Sequence, residues 1–207
     1  MSAASLTYFR GRGRAETTRW MLAAAGVDFV NIPIDTPEDL AALRASGKLP
    51  FDQMPLLEID GLCLSQSTAM IRYLARRANL YGASDTEAMW CDMVAGVVAD
   101  FAETAIQAAF KPSAEIAIAD MEARFAKFGP RFEARIHDQG SGFVAAAQMS
   151  FADVVLAEAL SSYLEWCPTI LDSTPKLRTL FDRVFSGPGI AGYLTSDLRY
   201  PKDDATE

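Results

Sequence analysis

The sequence predicts two parts in succession, an α/β domain and then an all-α domain, and three observations carry that reading. Strand and helix signals alternate over the first 80 or so of its 207 residues. An Asp60-Gly61 pair between two short apolar runs marks a β-hairpin. Beyond Gly82 the strand signal stops, and only amphipathic helical patterns separated by Gly, Pro and Ser remain.

In order along the first part, residues 6–9 read as a strand, 15–25 as a helix, 29–34 as a strand and 37–45 as a helix. Pro55 then opens the hairpin, with arms at 56–59 and 62–64. Gln66 and Ser67 fall where the next helix begins, and residues 69–78 continue it with apolar positions at helical spacing. The order β-α-β-α-β-β-α implies a small mixed sheet with helices packed on it.

After the segment 81–84, the second part reads as helices over roughly 85–110, 113–137, 151–165, 175–186 and 188–196, broken at Gly140-Ser141-Gly142 and Gly187-Pro188-Gly189. The division is therefore residues 1–80, a linker at 81–84, and residues 85–207. Ser150 and Asp153 precede an apolar run with the spacing of a capping box, which makes Asp153 a folding element rather than a catalytic acid. His137, the sole histidine, sits at a helix end beside a glycine-rich turn, where a cation favours the C-terminal dipole.

Composition narrows the function classes. Hydrophobic residues at 50% and charged residues at 22% are those of an ordinary globular protein. A net charge of −8 disfavours nucleic acid or an anionic membrane as main partner, since both call for a basic face. Arg10, Arg12, Arg14 and Arg19 cluster against that trend; Arg10 and Arg12 read as solvated positions. The start, MSAASLTYF, has no basic region followed by an apolar stretch, and no run is long enough for a membrane helix, so the expectation is a cytoplasmic protein. Cys63, Cys91 and Cys167 are scattered and lack histidine pairs, which disfavours disulfides and zinc and leaves them as small buried hydrophobes with no metal expected.

Two places carry chemistry. The helix start at Gln66 and Ser67 offers unpaired backbone N–H groups, a partial positive charge and the Ser67 hydroxyl, a natural seat for a carboxylate. Tyr8 ends the first strand just before an Arg- and Gly-rich loop, where its hydroxyl can project at the ligand-binding edge of an open α/β fold, although a strand-end tyrosine taken alone reads as a core residue.

The stretches TYFRGRGRAETTRWMLAAAGVDF, FDQMPLLEIDG and LSQSTAMIRYLA, with the helical second half and the Ser150 capping box, resemble the cytosolic glutathione S-transferases across nearly the whole chain. The likeness is nearest to the alpha and sigma classes, whose catalytic group is a tyrosine near the N-terminus. It implies a thioredoxin-like N-terminal domain that binds glutathione as cosubstrate, an all-helical domain that forms the electrophile site, and a homodimer.

Carried over residue by residue, the resemblance makes Tyr8 and Arg14 catalytic, the first by hydrogen bonding to the thiolate and the second by its charge. Pro55 looks like the cis-proline that leaves the Met54 backbone to pair with the cysteinyl part of glutathione. Gln53, Gln66 and Ser67 resemble the residues holding the peptide and the γ-glutamyl carboxylate. Arg44, with Lys48 as rival, resembles the cation at the glycyl carboxylate. Asp100 matches the aspartate that reaches the γ-glutamyl amine of the neighbouring subunit, and Phe51 is similar to the aromatic that alpha-class subunits insert into their partner.

Three departures qualify the match. Ala99 stands where prostaglandin-isomerising sigma members carry an extra acid, the polar stretch at Lys202 to Asp204 replaces the covering C-terminal helix of the alpha class, and no Cys-x-x-Cys follows the first strand. The expected activity is addition of activated glutathione to small hydrophobic electrophiles. The alternatives are a glutathione-dependent isomerase or peroxidase, or a non-catalytic binding protein on the same fold.

Overall fold

The computed structural model describes residues 4–201, and the Lys202 to Asp204 stretch lies outside them. Two compact units emerge. One contains residues 4–78 together with 188–201, and the other residues 79–187.

In the first unit, β1 (Ala4–Phe9), β2 (Phe29–Ile34), β3 (Leu56–Ile59) and β4 (Leu62–Ser65) form one sheet in the order β2-β1-β3-β4. β1 runs parallel to β2 and antiparallel to β3, and β3 pairs antiparallel with β4. The parallel pair requires a crossover, supplied by α1 (Glu16–Ala24), which follows a 3-10 turn at Gly13–Ala15. The β3–β4 hairpin turns on Asp60 and Gly61 with φ of 53° and 77°, the left-handed pair that an Asp-Gly turn favours.

α2 (Pro37–Ala45) starts on a capping box between Thr36 and Asp39 with Pro at its first position. α3 (Ser67–Arg77) packs against α1. Leu6, Leu56 and Leu57 of the sheet and Trp20, Leu22, Met70 and Leu74 of the two helices are all wholly buried. Burying each such side chain contributes roughly 1.5–3 kcal/mol.

Residues 188–196, grouped by their helical pattern with the second half of the sequence, lie in the first unit instead. Here α8 (Pro188–Leu194) packs on α1, so closely that a Cβ on Gly189 would sit 2.2 Å from the Ala23 carbonyl oxygen. Only glycine fits there.

In the second unit, α4 (Asp85–Ala108), α5 (Ala114–Gln139), α6 (Phe151–Trp166) and α7 (Pro175–Phe185) form a bundle. α6 is apolar nearly all round and packs against both α4 and α7, as a central helix must. Ser84 and Ser113 cap α4 and α5, each accepting a backbone N–H three residues on. Phe101 of α4 stacks on Tyr163 of α6 with ring centroids 4.1 Å apart, and the Tyr163 hydroxyl donates to the Phe101 carbonyl at 3.0 Å.

The expected folding element at Ser150 is present. The buried Asp153 carboxylate accepts from the Ser150 N–H, the Ser150 hydroxyl and the Val144 N–H, each at 2.8 Å. Burial nevertheless pushes its pKa above the ordinary carboxylate value, against the pull of those donors. His137 lies exposed in the last turn of α5, which Gly140 ends in the left-handed conformation. Cys91 and Cys167 are buried as expected, but Cys63 is exposed, because it lies on β4, an edge strand with one face in solvent.

Candidate active site

Tyr8 sits one residue before the end of β1, and the turn after the strand folds back over its ring. Gly13, with φ of +38°, is the point of closest approach: a Cβ there would lie 2.9 Å from the Tyr8 hydroxyl oxygen and 3.0 Å from Cε1. Glycine thus answers a conformational and a steric demand at once. The N–H of Arg14 donates to the Tyr8 oxygen at 3.3 Å. Because that oxygen already accepts a bond from the protein, the phenolic O–H is a stronger donor toward a third group. A neutral donor fixed in this way suits stabilisation of an anion that develops nearby. Arg14 itself is exposed at the start of the 3-10 turn and α1.

The strand register locates the remaining groups. Thr7 of β1 pairs with Leu56 of β3, and Leu56 pairs with Ser65 of β4. One residue further along the same edge, the sequence places Tyr8, Pro55 and Gln66. The Met54–Pro55 bond is cis, as the resemblance implied, and Pro55 is buried while Met54 is half-buried.

Gln66 adopts φ of +69° and ψ of 106°, outside the ordinary regions for a residue with a side chain. Held strain of this kind costs about 1–3 kcal/mol and collects at ligand sites. It brings the Gln66 amide onto the Gln53 side chain, to which it donates at 2.5 Å, so these two residues form one polar unit. Gln66 is also the N-cap of α3, and no side chain caps that helix. Its carbonyl takes the N–H groups of Ala69 and Met70, while those of Ser67 and Thr68 head the positive end of an 11-residue helix with the Ser67 hydroxyl beside them.

The two cations expected at the glycyl end both have carboxylate partners. Arg44, in the last turn of α2, donates to Asp52 at 2.8 Å, and Lys48 donates to Glu58 at 2.8 Å. The Glu58 contact raises the Lys48 pKa, through its hydrogen bond first and its charge second. Arg44 and Asp52 are 50% and 64% exposed, a solvated pair that holds little energy against a competing carboxylate. Asp52 is itself held at φ of 54° by the turn that leads to Gln53. Asp100 lies in the second unit, exposed on α4, so the structure does not bring it together with the other candidates in one unit.

Two contributors escaped the sequence reading. Gly13 carries a weak signal, the Gly-x-Gly spacing with Gly11 after the first strand. Arg19 reads as one more member of an arginine cluster, yet it is only 1% exposed and bonds to the carbonyls of Gly11 and Arg12 in the turn over Tyr8. Arg10 is solvated as expected, paired with Asp35 at 2.5 Å, whereas Arg12 is held by the Tyr200 carbonyl at 2.9 Å. Among the described residues, no three His, Cys, Asp or Glu side chains converge as a metal site would require.

Similarity to known proteins extends over nearly the whole chain. Residues 4–76 match the family model for the glutathione S-transferase N-terminal domain, and residues 99–197 match a model for the C-terminal domain. Glutathione S-transferase alpha-5 of Rattus norvegicus is 39% identical over 96% of this chain and 92% of its own length. Glutathione S-transferase A3 of Mus musculus is 37% identical over 97% and 92%. Among solved structures, the monomeric glutathione S-transferase Na-GST-3 of the hookworm Necator americanus superimposes with a TM-score of 0.82 at 26% identity, covering 93% of this chain and 96% of that one.

Proposed function

This chain belongs to the glutathione S-transferase family, and from that premise we propose how its own residues carry out conjugation. The observation that carries the proposal is the Tyr8 hydroxyl, whose oxygen accepts the Arg14 N–H, which leaves its own proton free to be donated to a ligand. A free thiol ionises near pH 8.5, so at neutral pH only a small fraction is the reactive anion. A hydrogen bond donated by Tyr8 to the glutathione sulfur favours the anion, and the Arg14 charge adds to it. The thiol proton leaves to solvent, and the sulfur lone pair then forms the new S–C bond, either as halide departs from an aryl halide or as the C=C π pair of an enal shifts toward its carbonyl oxygen and the resulting enolate takes a proton from solvent.

The rest of glutathione is held by groups the fold has already placed. The γ-glutamyl carboxylate sits on the N–H groups and hydroxyl at the start of α3, with Gln53 and Gln66 as one polar clamp beside it. The Met54 backbone, ahead of cis-Pro55, pairs with the cysteinyl unit. Arg44 meets the glycyl carboxylate by exchanging its Asp52 partner, and Lys48 contributes its charge from the Glu58 pair. The electrophile is small and apolar.

The functional protein is a homodimer in which Asp100 reaches the γ-glutamyl amine of the partner's glutathione. Support comes from the exposed apolar residues Phe51, Met89, Met93 and Val97, at 70%, 47%, 51% and 39% exposure, which call for a cover. A cytosolic site of action follows from the resemblance, and no helix of the described residues is long and apolar enough to cross a membrane. The named mammalian relatives are transferases, which favours conjugation over the isomerase, peroxidase or purely binding alternatives.

Purified protein assayed with glutathione against aryl halides, enals and hydroperoxides tests the reading. Thioether products from the first two classes are expected. Turnover of hydroperoxides alone would contradict it.

A further inference from the structure

We propose that Arg19 is a positioning residue for the thiol chemistry, holding the 11–14 turn so that the Tyr8 hydroxyl keeps its direction; this rests on the role given to Tyr8 above. The guanidinium is buried at the hub of a network that joins three pieces of chain. Its Nη1 donates to the Gly11 carbonyl at 3.0 Å, to the Arg12 carbonyl at 3.4 Å and to the Glu16 carboxylate at 3.1 Å, while its Nε donates to the Asn31 side chain at 2.9 Å.

The Arg12 carbonyl is the pivot of the turn, because it also accepts the N–H groups of Ala15 and Glu16 at 3.2 and 3.1 Å. From that pivot the chain passes through Gly13, which touches the Tyr8 ring, to the Arg14 N–H that bonds its oxygen. Moving Arg19 therefore moves the donor that orients the Tyr8 hydroxyl.

The far side of the hub is the C-terminal segment of the same unit. Asn31 of β2 donates to the Leu198 carbonyl at 2.8 Å, and the Tyr200 ring covers the guanidinium at 4.8 Å from its centroid. The Tyr193 hydroxyl contacts both Glu16 carboxylate oxygens at 2.9 Å, the Trp20 indole donates to the same carboxylate at 3.2 Å, and Arg199 stands 4.0 Å from it. Residues 188–200 thus brace Arg19 from behind.

Burying an ion pair is a poor way to gain stability, since desolvation offsets the attraction. A planar fork that bonds two turn carbonyls, a carboxylate and an amide at once is a good way to fix geometry. Lysine has neither the reach nor the planarity to repeat it.

The test is Arg19→Lys, which keeps the charge facing Glu16 and removes the fork. Its readouts are the pH titration of the bound glutathione thiol, the glutathione Kd and the melting curve. The thiolate fraction at neutral pH is expected to fall about fivefold, with Kd changed by less than about twofold, a size typical of coupled neighbours. Combined with Tyr8→Phe, Arg19→Lys should move the thiol titration no further. A folded Arg19→Lys protein with the wild-type titration would overturn the proposal, as would an equal shift in both backgrounds. Should Arg19→Lys not fold, Asn31→Ala, which leaves the Glu16–Arg19 pair intact, decides by the same readouts and the same criteria. A Tyr8→Phe protein that titrates like the wild type would instead remove the Tyr8 role, and this proposal with it.

Discussion

Gly13→Ala places one methyl group against the Tyr8 hydroxyl and leaves both flanking sequences untouched. An alanine Cβ would stand 2.9 Å from the hydroxyl oxygen and 3.0 Å from Cε1, closer than carbon contacts allow, on a backbone at φ of +38°. The backbone alone costs about 1–2 kcal/mol for a residue with a Cβ. In a chain of this size that corresponds to a drop in Tm of roughly 2–8 °C.

Relief of the contact requires the ring to swing or the turn to lift, and either motion separates the Arg14 N–H from the Tyr8 oxygen, already at 3.3 Å. If the hydroxyl then misses the sulfur, a charge-assisted bond of about 1.5–3 kcal/mol is forfeited, and the bound thiol titrates about one to two pH units higher. Titration of the thiol in the glutathione complex, alongside a melting curve, measures both effects. Introduced into a Tyr8→Phe protein, Gly13→Ala should still lower Tm but add nothing to the thiol titration. A Gly13→Ala protein with wild-type titration and wild-type Tm would refute the reasoning at both steps.

Phe51→Ser should weaken self-association, seen as dissociation at dilute concentration in sedimentation, and an unchanged association constant would remove the inserted-aromatic idea. Asp100→Asn should raise the KM for glutathione by converting a charge-assisted contact to a neutral one. In mixed dimers of one Asp100→Asn and one Tyr8→Phe chain, a contact across the interface leaves about half the sites wild-type by symmetry, whereas a contact within the subunit leaves none. Glu87 accepts from the Ala83 and Ala147 N–H groups at 2.6 and 2.8 Å, bonds that lower its pKa below 4.5. Its contribution is present above the unfolded-state pKa and lost as pH falls through the lower folded-state pKa, so Glu87→Gln should flatten the acid limb of stability against pH below about pH 5. An unchanged acid limb would show that Glu87 does not take part.

The parts of the fold set by local chemistry were legible from the residues. Asp60-Gly61 announces its turn because both positions need positive φ, and Ser150 announces a helix start because an oxygen there satisfies backbone N–H groups that nothing else can. Gln66 and Ser67 were legible as chemistry because helix starts are where an α/β fold exposes polar backbone, whereas Tyr8, at a strand end that usually reads as core, stood out only through the family resemblance. The placement of residues 188–201 was not, since a short apolar helix after Gly187-Pro188-Gly189 carries no mark of the surface it will meet. Arg19 was hidden for a related reason. Arginine usually reports solvent, and its burial depends on partners at Glu16, Asn31, Leu198 and Tyr200 that only the folded chain assembles. Cys63 misled in the opposite sense, because an edge strand exposes a small apolar residue that a central strand would bury.

The most direct measurement is the pH titration of the glutathione thiol bound to the wild-type protein and to Tyr8→Phe, with glutathione affinity measured in parallel. A hydroxyl whose oxygen accepts the Arg14 N–H and which donates its proton to the sulfur should hold the thiol anionic below its free value of about 8.5 in the wild type. Its loss should return the titration toward that value while affinity stays within about threefold, since a bond that stabilises the anion adds little to binding the protonated thiol. Coincident titrations in the two proteins would contradict the assignment of Tyr8 as the group that activates glutathione.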